Sequence, residues 1–278
     1  MCRLFAMSGG TEPVRATFWL LEAPDSLSEQ SRRQPDGTGL GTFRPDGTAE
    51  IHKWPIAAYE DRAFVEEARE VESTVFVAHI RYASTGAIES KNTHPFELKN
   101  RIFAHNGVIQ GLARLERELG PSRSLVRGDT DSERFFALVT RCIDDNGGDV
   151  GAGLTRAARW VAANLPIYAL NVVLATASSV WALRYPDTHA LFFLERDKGG
   201  PHGNRHMEAA SAAGTIRMRS AHLATHPAVI LASERMDENP GWQPLASGEL
   251  LHVGPDLAIH REIVLEQPPA HLLTLNDL

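Results

Sequence analysis

The chain has 278 residues, 43% of them hydrophobic and 23% charged, a balance that is typical of a folded globular protein and excludes a disordered or fibrous one. The formal net charge of -7 disfavours nucleic acid as a partner, because affinity for phosphates depends largely on Lys and Arg side chains. No apolar run approaches the roughly 20 residues of a membrane-spanning helix, and the N-terminus lacks the layout of a secretory signal, so we expect a cytoplasmic protein without a membrane partner.

The first part of the chain is predicted to combine short strands with helices. Residues 2–8 are largely apolar and end at Gly9-Gly10, which indicates a strand that begins at Cys2. The turn Pro45-Asp46-Gly47 separates two extended runs and predicts a hairpin. Together these signals predict strands over 2–8, 40–43, 50–53 and 74–80, and helices over 14–21 and 61–71.

The remainder of the chain continues with strands in runs and helices in pairs. Helices are predicted over 111–119, 132–142 and 152–163, and strands over 101–104, 169–175, 180–184, 190–194, 229–233 and 249–253. This order favours sheets packed together and covered by helices over a doubly wound parallel sheet. Because no internal repeat, low-complexity tract or linker divides the sequence, we expect one domain over residues 1–278.

A polar, glycine-rich stretch over 196–214 is predicted to be a long flexible loop. It contains His202 and His206, whose spacing could ligate a metal ion. The stretch offers neither helical context nor a third ligand nearby, so we expect no metal site there.

The two cysteines, Cys2 and Cys142, are too few for a disulfide framework and fit a reducing compartment. Cys2 is therefore available as a free thiol. Its position alone leaves two interpretations open, a reactive group or a small buried hydrophobe in the first strand, since free cysteines are among the most buried residues.

Four short segments combine polar clusters with a predicted strand end or loop. Taken singly, each has an ordinary explanation: Asn106-Gly107 is a common turn, and 129–133 is a capped helix start with acidic groups near the positive end of the helix dipole. Their combination is what points to chemistry. The segments are 79–86 (HIRYASTG), 92–96 (NTHPF), 105–107 (HNG) and 128–133 (GDTDSE).

In this order, and behind Cys2, the segments resemble the class II glutamine amidotransferase domain, a member of the N-terminal-nucleophile hydrolase superfamily. Residues 34–39 (QPDGTG) and 232–235 (ASER) resemble its stand-alone, YafJ-like branch, so the resemblance covers essentially the whole chain. It implies an α+β fold, a four-layer αββα sandwich of two antiparallel sheets between helical layers. The independent argument from the order of elements agrees with that architecture.

The resemblance implies that Cys2 is the nucleophile and that its own α-amino group is the general base. An α-amine titrates near pH 7.7–8.0, close to the working pH at which a base is most effective. This role requires removal of Met1, because the nitrogen of residue 2 would otherwise be a non-basic amide. We therefore expect Cys2 to become the true N-terminus.

Substrate contacts are implied for the other motif residues. Asn106, through its side-chain amide, and Gly107, through its backbone N–H, match the oxyanion hole of the family. Arg81 is expected to bind the α-carboxylate of a free amino acid and Asp131 its α-ammonium group.

Ser84 and Thr85 are expected to complete the carboxylate site; the sequence departs from the commonest pattern at Thr85, which occupies a place often held by His in multidomain relatives. His94 belongs to the substrate-site motifs. Like His105, it also fits a scaffold role, because an N-terminal-nucleophile mechanism already has its base.

The implied reaction is hydrolysis of the γ-amide of glutamine, or of a γ-glutamyl amide, without a cofactor or metal. Two versions of this reaction stay open. In one, the released ammonia passes to a separate synthetase subunit; in the other, the enzyme is a dedicated γ-glutamyl-conjugate hydrolase of the ergothioneine-pathway type. A non-catalytic glutamine-sensing module is disfavoured, since it would need Arg81 and Asp131 but not Cys2 and Asn106. A papain-like hydrolase is disfavoured too, because its cysteine begins a helix and uses a histidine base.

Overall fold

Short apolar strands assemble into two antiparallel sheets that lie face to face between layers of helices. The computed structural model describes residues 2–82, 87–197, 207–210, 217–220 and 226–278. In chain order the strands are β1 (Arg3–Ser8), β2 (Thr38–Phe43), β3 (Ala49–Trp54), β4 (Val75–Ile80), β5 (Phe96–Leu98), β6 (Arg101–Ile109), β7 (Pro166–Ala175), β8 (Val180–Arg184), β9 (Phe192–Arg196), β10 (Met207–Ala210), β11 (Arg217–Ser220), β12 (Ala228–Ala232), β13 (Gln243–Pro244), β14 (Glu249–Val253), β15 (Ile259–Ile263) and β16 (His271–Leu272).

The first sheet has the strand order β13-β9-β12-β1-β4-β2-β3, and the second has the order β15-β14-β8-β7-β6-β5. The short strand β16 adds a parallel pairing to β7, while β10 and β11 pair with each other. The helices are α1 (Leu27–Gln30), α2 (Arg62–Glu70), α3 (Leu112–Leu119), α4 (Asp131–Asp145) and α5 (Val150–Asn164), with shorter helical turns over Phe18–Glu22, Ser90–Asn92, Gly120–Leu125 and Leu275–Asp277.

The alternation of side chains along β1 explains why both faces of its sheet are buried. Leu4 and Ala6 pack into the core between the two sheets, whereas Phe5 and Met7 face the core that α1 and α2 cover. A third core lies between the second sheet and helices α3, α4 and α5. The four layers are therefore helix, sheet, sheet and helix, and the predicted αββα architecture is confirmed.

Side-chain caps mark where the main helices begin. Asp61 accepts a hydrogen bond from the backbone of Ala63 at the start of α2, and Asp149 does the same for Ala152 at the start of α5. Thr130 caps α4, the helix whose first turn was expected to carry Asp131. The predicted helices over 61–71, 111–119, 132–142 and 152–163 are thus present with small shifts of their ends.

The predicted β2–β3 hairpin is also present, but the prediction of a helix over 14–21 is wrong, and the turn that Asn106-Gly107 would indicate if taken singly is not formed. The helix predicted over 14–21 is a single turn that starts at Phe18, because Val14 instead exchanges backbone hydrogen bonds with Ser73. Asn106 and Gly107 do not form a turn. They lie inside β6, whose pairing with β7 continues through both residues.

The stretch predicted as a flexible loop falls mostly outside the described residues, as do His202 and His206. Within it the structure describes the strand β10. The prediction of one domain over 1–278 stays a prediction. Among the described helices, none has the length and apolar composition needed to cross a membrane.

Candidate active site

The predicted site residues come from strand ends and a helix start that meet between the two sheets. β1 and β4 are antiparallel with Arg3 opposite Ile80, so the residue before β1 lies beside the residues that follow β4. The helix α4 begins against β6. The resulting cavity, of about 20 Å³, is lined by Cys2, Arg81, Tyr82, Asn92, His94, His105, Gly107, Thr130, Asp131 and Ser132.

Cys2 is held at the edge of this cavity by backbone contacts. Its Sγ accepts a hydrogen bond from the backbone N–H of Tyr82 at 3.2 Å, and its carbonyl oxygen accepts one from Nδ2 of Asn106 at 2.9 Å. Burial raises the pKa of the Cys2 thiol, although the Tyr82 hydrogen bond and the positive charge of Arg81 oppose the rise. At neutral pH the sulfur therefore rests as a thiol, and its attack on a carbonyl requires a base.

Asn106 and Gly107 project from the middle of β6, opposite β7. The amide of Asn106 has two N–H groups, and one of them serves the carbonyl of Cys2, which leaves the other for a ligand. A Cβ added to Gly107 would lie 1.9 Å from the carbonyl oxygen of Ala169. The glycine is therefore required by the close approach of β7.

Arg81 and Asp131 bring opposite charges to the same cavity, and both are nearly fully buried. Nη1 of Arg81 donates to the carbonyl of Ala87 at 2.9 Å. Asp131 is the first residue of α4, and its Oδ2 accepts the backbone N–H of Ile109 at 2.7 Å. Each of these two side chains is thus held in a fixed orientation by a backbone group.

The structure brings together the predicted residues Cys2, Arg81, His94, Gly107 and Asp131 on one cavity, with Asn106 bonded to Cys2. Ser84 and Thr85 lie outside the described residues.

The imidazole of His94 stacks on that of His79, with ring centroids 4.2 Å apart, and both rings are buried. Burial lowers the pKa of His79 to about 3 and that of His94 well below its usual value. Both imidazole rings are therefore neutral at pH 7, and they pack against each other beside the cavity.

For several cavity residues that lie inside the sequence motifs, no substrate contact was predicted. Asn92 ties two motifs together, because its Oδ1 accepts the backbone N–H of Asp129 at 2.8 Å and its Nδ2 donates to Ala87 at 3.2 Å. His105, expected as scaffold, contacts Ser132. The sequence signal for Asn92 and His105 was that both lie inside the motifs. Their hydrogen-bond partners could not be predicted, because the residue type alone does not determine them.

In the described part of the chain, no three His, Cys, Asp or Glu side chains come close enough together to hold a metal ion. The groups that do converge are a thiol, an amide, a guanidinium and a carboxylate.

Comparison with known proteins adds a family to this geometry. The family model for class-II glutamine amidotransferases matches residues 1–266. The chain is 27% identical over 264 residues to the gamma-glutamyl-hercynylcysteine sulfoxide hydrolase of Mycolicibacterium smegmatis, covering 91% of this chain and 96% of that protein. It is 29% identical over 171 residues to "Probable glutamine amidotransferase DUG3" of Saccharomyces cerevisiae, covering 54% of this chain and 47% of that protein.

A solved structure shares the fold. The glutamine phosphoribosylpyrophosphate amidotransferase of B. subtilis superposes with a TM-score of 0.62 at 17% identity, over 96% of this chain and 50% of that one. The chain therefore spans about half the length of both the yeast and the B. subtilis proteins.

Proposed function

The chain belongs to the class-II glutamine amidotransferase family, and we propose that it is an amidohydrolase of that type, which cleaves a γ-glutamyl amide, with glutamine as the leading candidate substrate, through a thioester on Cys2. The observation that carries the proposal is the convergence of Cys2, Arg81 and Asp131 on one cavity, with Asn106 hydrogen-bonded to the nucleophile residue.

The chemistry begins with the proton of the Cys2 thiol. Once Met1 is removed, the free α-amine takes this proton, and the sulfur attacks the δ-carbon of the substrate amide. Asn106 and the N–H of Gly107 stabilise the oxyanion that forms. The ammonium then returns the proton to the leaving nitrogen, so that ammonia departs and a γ-glutamyl thioester remains. Water cleaves the thioester, which releases glutamate and restores the thiol.

The charged pair supplies recognition of the amino-acid end. The guanidinium of Arg81 binds the α-carboxylate with matched planar geometry, and Asp131 accepts the α-ammonium group. The cavity lined by the described residues has a volume of about 20 Å³, enough for about one water molecule, so we expect glutamine to occupy a larger cavity than this one. We therefore expect substrate binding to be coupled to a local rearrangement around the cavity.

A second candidate, a dedicated γ-glutamyl-conjugate hydrolase, has one observation in its favour. The M. smegmatis protein named as a gamma-glutamyl-hercynylcysteine sulfoxide hydrolase aligns with 91% of this chain and over 96% of its own length. A relative that matches nearly end to end supports a conjugate as substrate. Delivery of ammonia to a separate synthetase is the other possibility within the same chemistry.

The experiment is a turnover assay on protein whose N-terminus has been defined by intact mass. Glutamine is compared with a panel of γ-glutamyl amines and γ-glutamyl thiol conjugates, and release of ammonia and of glutamate is measured separately. Cys2→Ala is expected to abolish turnover, whereas Cys142→Ala, which changes the other cysteine, is the matched control and should keep it. Activity on glutamine supports an ammonia donor, and activity on conjugates alone supports the hydrolase.

A retained N-terminal extension tests the base. Blocking the α-amine leaves the thiol in place but removes the proton acceptor, so the extended protein should be inactive although its thiol still reacts with an alkylating reagent. Full activity in the extended protein contradicts the proposed mechanism.

A further inference from the structure

His105 lies in the wall of the cavity and joins the start of α4 to β7. It is 1% exposed and Ser132 is 4% exposed, so both side chains are almost completely shielded from bulk water. Nδ1 of His105 lies 2.9 Å from Oγ of Ser132, and Nε2 lies 3.1 Å from the carbonyl oxygen of Ala169. The ring is thus held at both nitrogens by partners of different kinds.

These partners determine where the protons are. The carbonyl of Ala169 can only accept, so Nε2 must carry a proton and donate it. Burial lowers the pKa of His105, which keeps the ring neutral with that single proton. Nδ1 is then an acceptor, and the hydroxyl of Ser132 donates to it.

The direction of the Ser132 hydroxyl matters for the neighbouring carboxylate. Oγ of Ser132 is also 3.4 Å from Oδ1 of Asp131, a longer contact than that to His105. A hydroxyl has one proton, so donation to His105 withholds it from Asp131. Since Oδ2 of Asp131 already accepts the backbone N–H of Ile109 at 2.7 Å, Oδ1 is the carboxylate oxygen with the greater acceptor capacity left among the described residues.

We propose that His105 is a positioning residue for substrate recognition: it turns the Ser132 hydroxyl away from Asp131 and so keeps Oδ1 open for the α-ammonium group of the substrate. The inference rests on the proposed function, because it concerns how a γ-glutamyl compound is held. His105 would thus have a function in addition to its packing against Phe135.

The test uses His105→Gln, which preserves one half of the arrangement. The Gln amide nitrogen can replace Nε2 as donor to Ala169, but nothing replaces the acceptor at Nδ1. The Ser132 hydroxyl then donates to Asp131 and competes with the substrate ammonium. A charge-assisted hydrogen bond is weakened, so we expect KM for glutamine to rise about tenfold with a smaller change in kcat.

Two comparisons separate this effect from simple damage. 4-Carbamoylbutanoate has the amide and the carboxylate of glutamine but no α-ammonium group, so its kcat/KM should change less than about threefold in His105→Gln. Adding Ser132→Ala to His105→Gln removes the competing hydroxyl and should return most of the lost affinity. A merely structural histidine predicts the opposite, since a second buried substitution would add to the damage.

The remaining controls address handling and protonation. His271→Gln, an exposed histidine of β16, should keep wild-type KM. Long-range nitrogen NMR distinguishes the protonated ring nitrogen of His105 from the bare one, and a proton on Nδ1 overturns the inference. Wild-type protein that turns over no γ-glutamyl compound contradicts the proposed function. An active wild type whose His105→Gln variant keeps its KM, or is not rescued by Ser132→Ala, contradicts this inference alone; if the wild type accepts only a conjugate, the same comparison uses that conjugate and its desamino analogue.

Discussion

Replacing Asn106 with Ala is expected to separate catalysis from stability. The substitution removes a donor to the oxyanion, so kcat should fall about 100- to 1000-fold, or roughly 2.7–4 kcal/mol of transition-state stabilisation. In the resting structure it removes one hydrogen bond, from Nδ2 to the carbonyl of Cys2 at 2.9 Å, and that carbonyl still accepts from Nη1 of Arg3 at 3.2 Å. The free energy of unfolding should therefore fall by only about 1 kcal/mol.

Asn171 is a matched control, because it is the residue directly opposite Asn106 on β7. Its buried amide donates to the carbonyls of His189 and Ala190 and accepts the backbone N–H of Tyr185, each at 3.2 Å. Asn171→Ala leaves three backbone groups without this partner, so the free energy of unfolding should fall by about 3 kcal/mol.

The assay measures kcat for the preferred substrate and chemical denaturation on the same preparations. Asn106→Ala should be nearly inactive and well folded, whereas Asn171→Ala should be less stable and, where folded, much more active than Asn106→Ala. If Asn106→Ala keeps kcat within about tenfold of wild type, the oxyanion role assigned to this amide is wrong.

Three further outcomes are expected. Gly107→Ala places a Cβ 1.9 Å from the carbonyl of Ala169, so β6 must move and thermal denaturation should show a loss of at least about 2 kcal/mol. Arg81→Lys replaces a planar two-pronged donor with a single ammonium, so steady-state kinetics should show KM for glutamine raised about tenfold or more, and an unchanged KM would assign Arg81 another role. His79 has a pKa of about 3 in the folded protein, below its ordinary 6.5, so the unfolded chain binds the proton more readily. The free energy of unfolding should therefore fall as pH drops from 6.5 towards 3, by about 1.4 kcal/mol per pH unit. His79→Phe should remove this contribution to the pH dependence of stability, measured by denaturation at a series of pH values between 8 and 5.

The four longer helices, α2 to α5, were predictable from the sequence because local signals determine them. The α2 segment has apolar residues at helical spacing behind the cap Asp61, and α4 follows Thr130 in the same way. Strands that pair by backbone alone were not predictable. β15 is exposed at four of its five positions, so it has no apolar alternation, and its place is set by pairing with β14.

The candidate site was also predictable only in part: its side chains could be identified from the sequence, but its backbone contacts could not. Motif order identified the side chains of Cys2, Arg81 and Asp131, and the structure brings them to one cavity. The contact from the backbone N–H of Tyr82 to the sulfur could not be read from the sequence, because every non-proline residue offers that donor. The requirement for a glycine at position 107 could not be read from the sequence either, because it arises from β7, whose Ala169 carbonyl fills the space that a side chain would need.

The choice of base follows from the same geometry. His94 and His105 line the cavity with Cys2, His79 lies against His94, and the pKa of each of these three imidazoles is lowered by burial. Taking the thiol proton onto a ring whose pKa is about 3, as for His79, would cost roughly 5 kcal/mol at pH 7. Nδ1 of His105 is already engaged by Ser132. A histidine base of the papain type is therefore disfavoured by the interior that surrounds these rings, and this supports the proposal that the α-amine of processed Cys2, which ordinarily titrates near pH 7.7–8.0, is the base.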